Sequence, residues 1–441
     1  MISEAGRAQS LAVEGPIAPF DARLTVPGDK SISHRAAMLG GIAEGVTRIR
    51  NFLPANDCLA TLDVMRGLGI EVAYRGDEVL VHGRGMEGLV EPARPLECGG
   101  SGTTMRLMSG LLAGQPFYSV LAGNAQLSRR PMDRVARPLR EMGATILGRE
   151  GGRLAPLSIQ GGNLHGIRYK PPVASAQIKS AVLLAGLFTQ GEMAVEEPTP
   201  TRDHTERMLM SMGADLAVEG NVVRVRASRV HALDVDVPGD ISSAAFILAA
   251  AAIVPGSRVI VEGVGVNPGR TGFLHALERM GAPVRLHGER DSNGEPVADV
   301  EVSHAGLRGI AISAEDVPGM IDELPLLAVV ATQAEGVTEV RGAAELRVKE
   351  TDRIATTAAE LTRMGARIEA LPDGFRVHGP SPLLGARVSS HGDHRLAMSL
   401  SIAALVVRGA TTVEDTECAD DSFPGFEAVL RTLIEGGPGG E

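Results

Sequence analysis

Apolar and polar positions along the chain recur in one phrase: an apolar helix end, a glycine, then a strand. It appears as Val64-Met65-Arg66-Gly67-Leu68-Gly69, Leu139-Arg140-Glu141-Met142-Gly143, Leu209-Met210-Ser211-Met212-Gly213, Leu277-Glu278-Arg279-Met280-Gly281 and Leu361-Thr362-Arg363-Met364-Gly365. The closing glycines stand 74, 70, 68 and 84 residues apart, and one further step reaches a last predicted helix, Phe426 to Leu433. A second phrase alternates with the first. It is an Ala/Leu-rich helix, a glycine and a short β-branched strand, with the glycines at Gly45, Gly114, Gly191, Gly256, Gly336 and Gly409. Self-similarity at a long period marks a copied supersecondary unit, and glycine after the last helical turn is the usual left-handed cap.

One copy predicts helix Ser31–Ala43, strand Val46–Asn51, helix Asp57–Leu68, strand Ile70–Tyr74 and strand Val79–His82, with strand Ala22–Val26 leading in. The sixth copy lacks its closing strands, while the N-terminus supplies spare strand-like pieces, Ser10–Val13 and Ala22–Val26. The first residues are therefore expected to complete the last units. That predicts an α/β fold with a discontinuous domain, 1–27 plus 239–441, and a continuous one, 28–238. The crossings fall in two near-identical phrases, Val26-Pro27-Gly28-Asp29 and Val237-Pro238-Gly239-Asp240, which read as a double hinge.

Composition narrows the function. A chain of 441 residues suits two or three domains rather than one core. A net charge of -11 without any basic run argues against a broad nucleic-acid-binding face. Anions can still be bound if Lys and Arg concentrate in one cleft. The three cysteines, Cys58, Cys98 and Cys418, lack metal-ligand spacing and fit a reducing cytosol. Glu4, Arg7 and Glu14 break any apolar start, so no signal peptide is read. The most apolar run, Ile241 to Val254, falls short of the roughly 20 residues of a membrane span and predicts a buried core helix. The reading is a cytoplasmic chain without membrane partners.

Chemistry-bearing residues gather at predicted helix starts, where free N–H groups and partial positive charge favour anions. In Pro27-Gly28-Asp29-Lys30-Ser31-Ile32-Ser33-His34-Arg35, Ser31 or Ser33 can cap the helix, and Lys30 and Arg35 surround its N-terminus. In Cys98-Gly99-Gly100-Ser101-Gly102-Thr103-Thr104-Met105-Arg106, glycines admit close backbone approach, but the lysine of a nucleotide P-loop is missing. Arg129-Arg130-Pro131-Met132 opens a helix with Pro in its first turn. Ser175-Ala176-Gln177 and Arg202-Asp203-His204 open two more. Asp322-Glu323 begins an apolar helix, Leu324 to Val330, and charge alternates through Arg347-Val348-Lys349-Glu350-Thr351-Asp352-Arg353. His391-Gly392-Asp393-His394-Arg395 lacks the third ligand a metal requires, so none is expected. Taken singly, each cluster equally fits a capped helix with solvated charges. Together they predict a cleft lined by Lys30, Arg35, Arg130, Arg202, Lys349, Arg353 and Arg395, suited to substrates with several phosphates or carboxylates.

With PGDKSISHR, GTTMRL, RRPM, SAQ, RDHTE, RVKETDR and DHR in order, the chain from about Leu11 to Phe426 closely resembles the 5-enolpyruvylshikimate-3-phosphate (EPSP) synthase family. The resemblance implies a two-domain inside-out α/β barrel of six βαβαββ repeats, three per domain, with the active site in the cleft between them. It implies transfer of the enolpyruvyl group of phosphoenolpyruvate to shikimate 3-phosphate by a monomer without metal or organic cofactor. Shikimate 3-phosphate would be held by Lys30, Ser31, Arg35, Ser175, Ala176, Gln177, Arg202, Asp322 and Lys349. Phosphoenolpyruvate would lie against Lys30, Gly100, Gly102, Arg130, Gln177, Arg353 and Arg395. Asp322 and Glu350, with Lys30, would be catalytic. Two positions depart from the family pattern: Gly100 often is Asn, and Asp421 stands where some members place Lys before Ser422-Phe423-Pro424. The sister family acting on UDP-N-acetylglucosamine differs by Lys-Asn after the first Pro-Gly turn and a loop cysteine, whereas here Lys30 precedes Ser31 and Asn124–Arg130 contains no cysteine. Asp322 and Glu350 beside Lys349 argue against a non-catalytic binding protein, and the missing basic face against an RNA-end-processing relative.

Overall fold

The computed structural model describes residues 10–435. Expectations that rest on residues 1–9 (the Glu4 and Arg7 breaks and the start of the discontinuous domain) or on residues 436–441 at its end lie outside the described residues. The chain divides into two compact units. One comprises Pro27–Pro238 and Arg290–Val297; the other comprises the residues up to Val26, Gly239–Glu289 and those from Ala298 onward. Residues 290–297 thus group apart from the span 239–441 in which the sequence reading placed them.

In the unit containing Pro27–Pro238, three helices, Lys30–Ile42, Gly102–Ala113 and Ala176–Gly186, are buried along most of their length. Small residues permit this. A Cβ on Gly110 would fall 2.1 Å from the Ala181 carbonyl oxygen, so the second and third helices meet backbone to backbone. After each helix a strand is flanked by a short parallel strand and by an antiparallel hairpin strand. The first sheet runs Val235–Asp236, Glu44–Arg50, Glu78–Arg84, Glu71–Arg75, with Val235 opposite Ile49 and Ile49 opposite Val79. The short strands Leu96–Glu97 and Arg168–Tyr169 serve the second and third sheets, and Val235–Asp236 returns from the end of the unit to the first. The three copies therefore close on themselves.

The other unit uses helices Ile241–Ile253, Leu324–Ala331 and His394–Ala404 in the same way, and the first is buried at every position, as its composition predicted. Among the described residues its last sheet has no following hairpin, and Ser10–Gly15 takes that place, antiparallel to Gly409–Glu414 with Leu11 opposite Val413. Ala22–Val26 does not lead into the first copy. Asp21–Thr25 pairs in parallel with Arg258–Gly265, because Ala22 and Val26 bury in this unit's core. Among the described residues no helix is long and apolar enough to cross a membrane.

The glycine phrases came out as the periodicity implied, with one exception. Gly69, Gly143, Gly213, Gly281 and Gly365 all take positive φ, between 85° and 113°. Gly114 is right-handed at φ -80°. It is glycine because a Cβ would strike the Phe188 ring at 2.4 Å.

Candidate active site

At the first helix start Asp29, not Ser31 or Ser33, is the cap, accepting from the Ile32 N–H at 2.8 Å. Ser33 turns inward to accept from the Leu53 N–H at 3.1 Å. Ser31 is left to accept from the Arg202 guanidinium at 3.4 Å. Arg35, one turn on, is buried and donates to Thr205 Oγ1 at 2.7 Å, Ser180 Oγ at 2.8 Å and the Ser31 carbonyl at 2.9 Å. Burial, and then the neighbouring Arg202, lower its pKa to about 10. Two guanidiniums that disfavour each other around one serine make a place where an anion is stabilising. The Lys30 ammonium lies 2.5 Å from Asp57.

The glycine-rich turn faces a second group of cations. Ser101 caps the following helix by accepting from the Thr104 N–H at 3.1 Å. A Cβ on Gly102 would come within 2.8 Å of Arg106 Nη1 and 3.0 Å of Arg130 Nη1, so the missing side chain is what lets both guanidiniums stand over the helix start. Arg106 donates to Gln177 Oε1 at 2.6 Å and to the Pro131 carbonyl at 3.1 Å, and Gln177 donates to Thr103 Oγ1 at 3.0 Å. Ser175 caps the helix that begins with Ala176 and Gln177, accepting from the Ile178 N–H. Beside Gly100, Asn124 Nδ2 lies 3.3 Å and Asp57 Oδ1 3.9 Å from where a Cβ would stand. Pro131 precedes its helix rather than sitting in the first turn: Met132 is the N-cap of Asp133–Glu141, and Arg130 has extended backbone.

In the other unit the expected residues converge on carboxylates. Asp322 Oδ1 lies 3.2 Å from Lys349 Nζ and 3.5 Å from Arg353 Nη1, and its Oδ2 lies 3.7 Å from Arg270 Nη1. Arg353 is buried, which excludes the solvated helix start that its motif taken singly also fitted. It donates to Asp393 at 2.8 and 3.0 Å and to Glu350 Oε2 at 2.6 Å. Burial opposes its charge, but Asp393, Glu350 and Asp322 outweigh that and hold its pKa above the ordinary value. Asp393 also caps the His394–Ala404 helix, accepting from the Arg395 N–H at 2.9 Å. The Arg395 guanidinium stands 6.0 Å over the Phe246 ring, in cation–π range. Glu323 does not cap the Leu324–Ala331 helix through its side chain. It accepts from Ser242, which in turn accepts from Arg270 at 2.5 Å.

Four residues escaped the sequence reading: Asp57 under Lys30, Arg106 over Gly102, Arg270 beside Asp322, and Asp393 under Arg353. Arg106 and Asp393 lay inside quoted motifs, one turn in and at a cap, where a second role could have been sought. Arg270 sits in a loop with no local signal. Among the described residues no three His, Cys, Asp or Glu side chains gather as a metal would need, and His391 bonds Glu360 at 2.9 Å.

Cations at helix starts in one unit and carboxylates held by cations in the other give this chain the kinds of group that anion binding and proton transfer require. Comparison places it. A model of EPSP synthase (3-phosphoshikimate 1-carboxyvinyltransferase) matches residues 15–430, and the chain belongs to that family. It is 50% identical over 417 residues to a 3-phosphoshikimate 1-carboxyvinyltransferase of Bacillus cereus, covering 94% of this chain and 97% of the relative. To that of Desulforudis audaxviator it is 53% identical over 410 residues, covering 92% and 96%. The EPSP synthase structure from Acinetobacter baumannii superposes with a TM-score of 0.86 at 46% identity, covering 97% of this chain and 98% of that one. The enolpyruvyl transferase NikO from Streptomyces tendae, at 18% identity and TM-score 0.76 over 97% of this chain and 98% of its own, shares the fold.

Proposed function

We infer that this chain transfers the enolpyruvyl group of phosphoenolpyruvate to the 5-hydroxyl of shikimate 3-phosphate, releasing phosphate and forming 5-enolpyruvylshikimate 3-phosphate. This is a step of the shikimate pathway to chorismate and the aromatic amino acids. The names of relatives at 50% and 53% identity support it. The observation that carries it is one guanidinium spanning two carboxylates: Arg353 lies 3.5 Å from Asp322 and 2.6 Å from Glu350.

The reaction needs two acid/base groups close together. Protonating the methylene of phosphoenolpyruvate makes its central carbon electrophilic, and the 5-hydroxyl of the shikimate ring attacks while losing its proton. The tetrahedral adduct then expels phosphate by the reverse proton movement. In this reading Asp322 and Glu350 divide those transfers, and Lys30 is catalytic with them. Shikimate 3-phosphate engages Lys30, Ser31, Arg35, Ser175, Ala176, Gln177, Arg202, Asp322 and Lys349. Phosphoenolpyruvate engages Lys30, Gly100, Gly102, Arg130, Gln177, Arg353 and Arg395, whose fixed charge stabilises the departing phosphate. Both sets serve one pair of substrates, and keeping water from the cationic carbon leaves the ring hydroxyl as its nucleophile. The same reading takes each unit as three βαβαββ repeats of an inside-out α/β barrel, supported by the recurring strand order, and takes the chain as a cytoplasmic monomer. Domain limits of 1–27 plus 239–441 and 28–238 belong to it too.

Phosphate release from phosphoenolpyruvate, with shikimate 3-phosphate and UDP-N-acetylglucosamine offered in parallel, tests the assignment. Release is expected with shikimate 3-phosphate alone; release only with the UDP-sugar would reverse it.

A further inference from the structure

Next to Arg202 lies a buried charged cluster that the reaction above does not use. Lys179, 1% exposed, sets its ammonium 2.9 Å from Glu197 Oε2 and 2.6 Å from Glu206 Oε1. The same ammonium donates to the Thr201 carbonyl at 3.3 Å. Glu197 Oε1 accepts from both the N–H and the hydroxyl of Thr201, the former at 3.2 Å. One ion cluster therefore grips both backbone polar groups of the residue just before Arg202. Glu197 is itself anchored: its N–H donates to the Asn221 carbonyl at 2.9 Å, and Asn221 Nδ2 donates back to the Glu197 carbonyl at 2.7 Å.

Charges this deep lose hydration that their attraction only partly returns, so fold stability alone is a poor account of them. Position is a better one. Between the strand ending at Glu196 and the helix starting at His204 the chain is irregular and carries Pro198 and Pro200. No helix or strand ladder fixes it, and Arg202 must hold station next to a second guanidinium, Arg35. Left to itself such a side chain turns toward water.

We propose that the Glu197–Lys179 pair is a positioning device which, through Thr201, aims Arg202 at shikimate 3-phosphate. The proposal rests on the reading that Arg202 binds that substrate. Calorimetric titration with shikimate 3-phosphate tests it on Glu197→Gln, Thr201→Val, Arg202→Ala and the Arg202→Ala/Thr201→Val double variant. Thr201→Val removes one hydroxyl and keeps the charges paired, so it remains informative if Glu197→Gln fails to fold. Expected are binding weakened about tenfold by Glu197→Gln and about threefold by Thr201→Val, the range of one charged hydrogen bond or less. Turnover at saturating substrate should change far less than affinity. In the Arg202→Ala background Thr201→Val should add nothing, because its effect passes through Arg202. An equal loss with or without Arg202 would show the cluster acting on the fold and overturn the proposal, as would unchanged binding by the Glu197 and Thr201 variants while Arg202→Ala binds weakly. Normal binding by Arg202→Ala would overturn the role of Arg202 itself, and the proposal with it.

Discussion

The two units treat their cations differently. In the unit containing Pro27–Pro238, Arg35 gives all its hydrogen bonds to hydroxyls and a carbonyl, and Arg106 meets a carboxamide and a carbonyl. In the other, Arg353 is locked onto Asp393 and Glu350, and Asp322 faces Lys349, Arg353 and Arg270. A guanidinium bonded to neutral groups gains when a phosphate arrives, since a charge-assisted bond is stronger than the one it replaces. A guanidinium already holding carboxylates gains less and instead fixes those carboxylates. On the proposed reading Arg35 and Arg106 of the first unit hold anions, although Lys30 there is already paired with Asp57, and Arg353 of the second keeps acids in place.

The largest effect should come from the second unit. Asp322→Asn keeps the shape and removes the proton acceptor, so turnover is expected to fall about 10²–10⁴-fold. Binding of shikimate 3-phosphate should weaken much less. Phosphate release and a parallel titration separate the two, and near-normal turnover would take Asp322 out of the chemistry and blur the contrast between the units.

In the first unit the sharpest probe is Gly102→Ala. The added methyl would stand 2.8 Å from Arg106 Nη1 and 3.0 Å from Arg130 Nη1. Both atoms are ends of flexible side chains, so the guanidiniums shift while the fold holds. The KM for phosphoenolpyruvate should rise about tenfold, the cost of losing roughly one charged hydrogen bond, with the thermal midpoint nearly unchanged. An unaltered KM would remove these arginines from the anion-holding role.

How much of this the chain announced depended on the distance over which each signal acts. The repeats were legible because a left-handed glycine after an apolar helix end is a local event, as Gly69 and Gly281 show. Gly114 looked the same and was not, since its constraint comes from Phe188, far along the chain. The cap at Asp29 was missed because three residues able to cap lie within five positions, and only the backbone geometry chooses among them. Glu323 read as a dipole-favouring acid, yet its partner Ser242 is 81 residues away. Arg353 taken singly fitted a solvated helix start for the same reason: Asp393, which it bonds, lies 40 residues on. Motifs marked the right helix starts, but the pairing of charges that separates the two units is tertiary and has no local pattern.

The smallest expected effect is one of stability, and it falls in the anion-holding unit. His34 is buried, paired with Thr61 Oγ1 at 2.7 Å, and burial first, then Lys30 and Arg35, hold its pKa well below 6.5. The folded form therefore keeps a neutral imidazole where the unfolded chain binds a proton. Its contribution is complete above the unfolded value of about 6.5 and is lost as pH falls from there toward the folded pKa. Glu206, raised by burial although Lys179 partly offsets this, acts in the opposite sense as pH falls through its raised pKa. In the other unit Glu301 is lowered chiefly by its bond to Arg258, and Glu339 by its bond to Arg376, so their contributions persist until pH falls through those lowered values. Between pH 6.5 and 5 the first unit should weaken and the second should not. Tyr74, Tyr118 and Tyr169 all lie in the first unit and the chain has no Trp, so tyrosine fluorescence follows that unit alone. Its unfolding free energy from urea titration should drop over this range with a slope of up to about 1.4 kcal/mol per pH unit. His34→Asn, which can still bond Thr61, should flatten it; an equal slope in the variant would mean that the acid sensitivity comes from elsewhere.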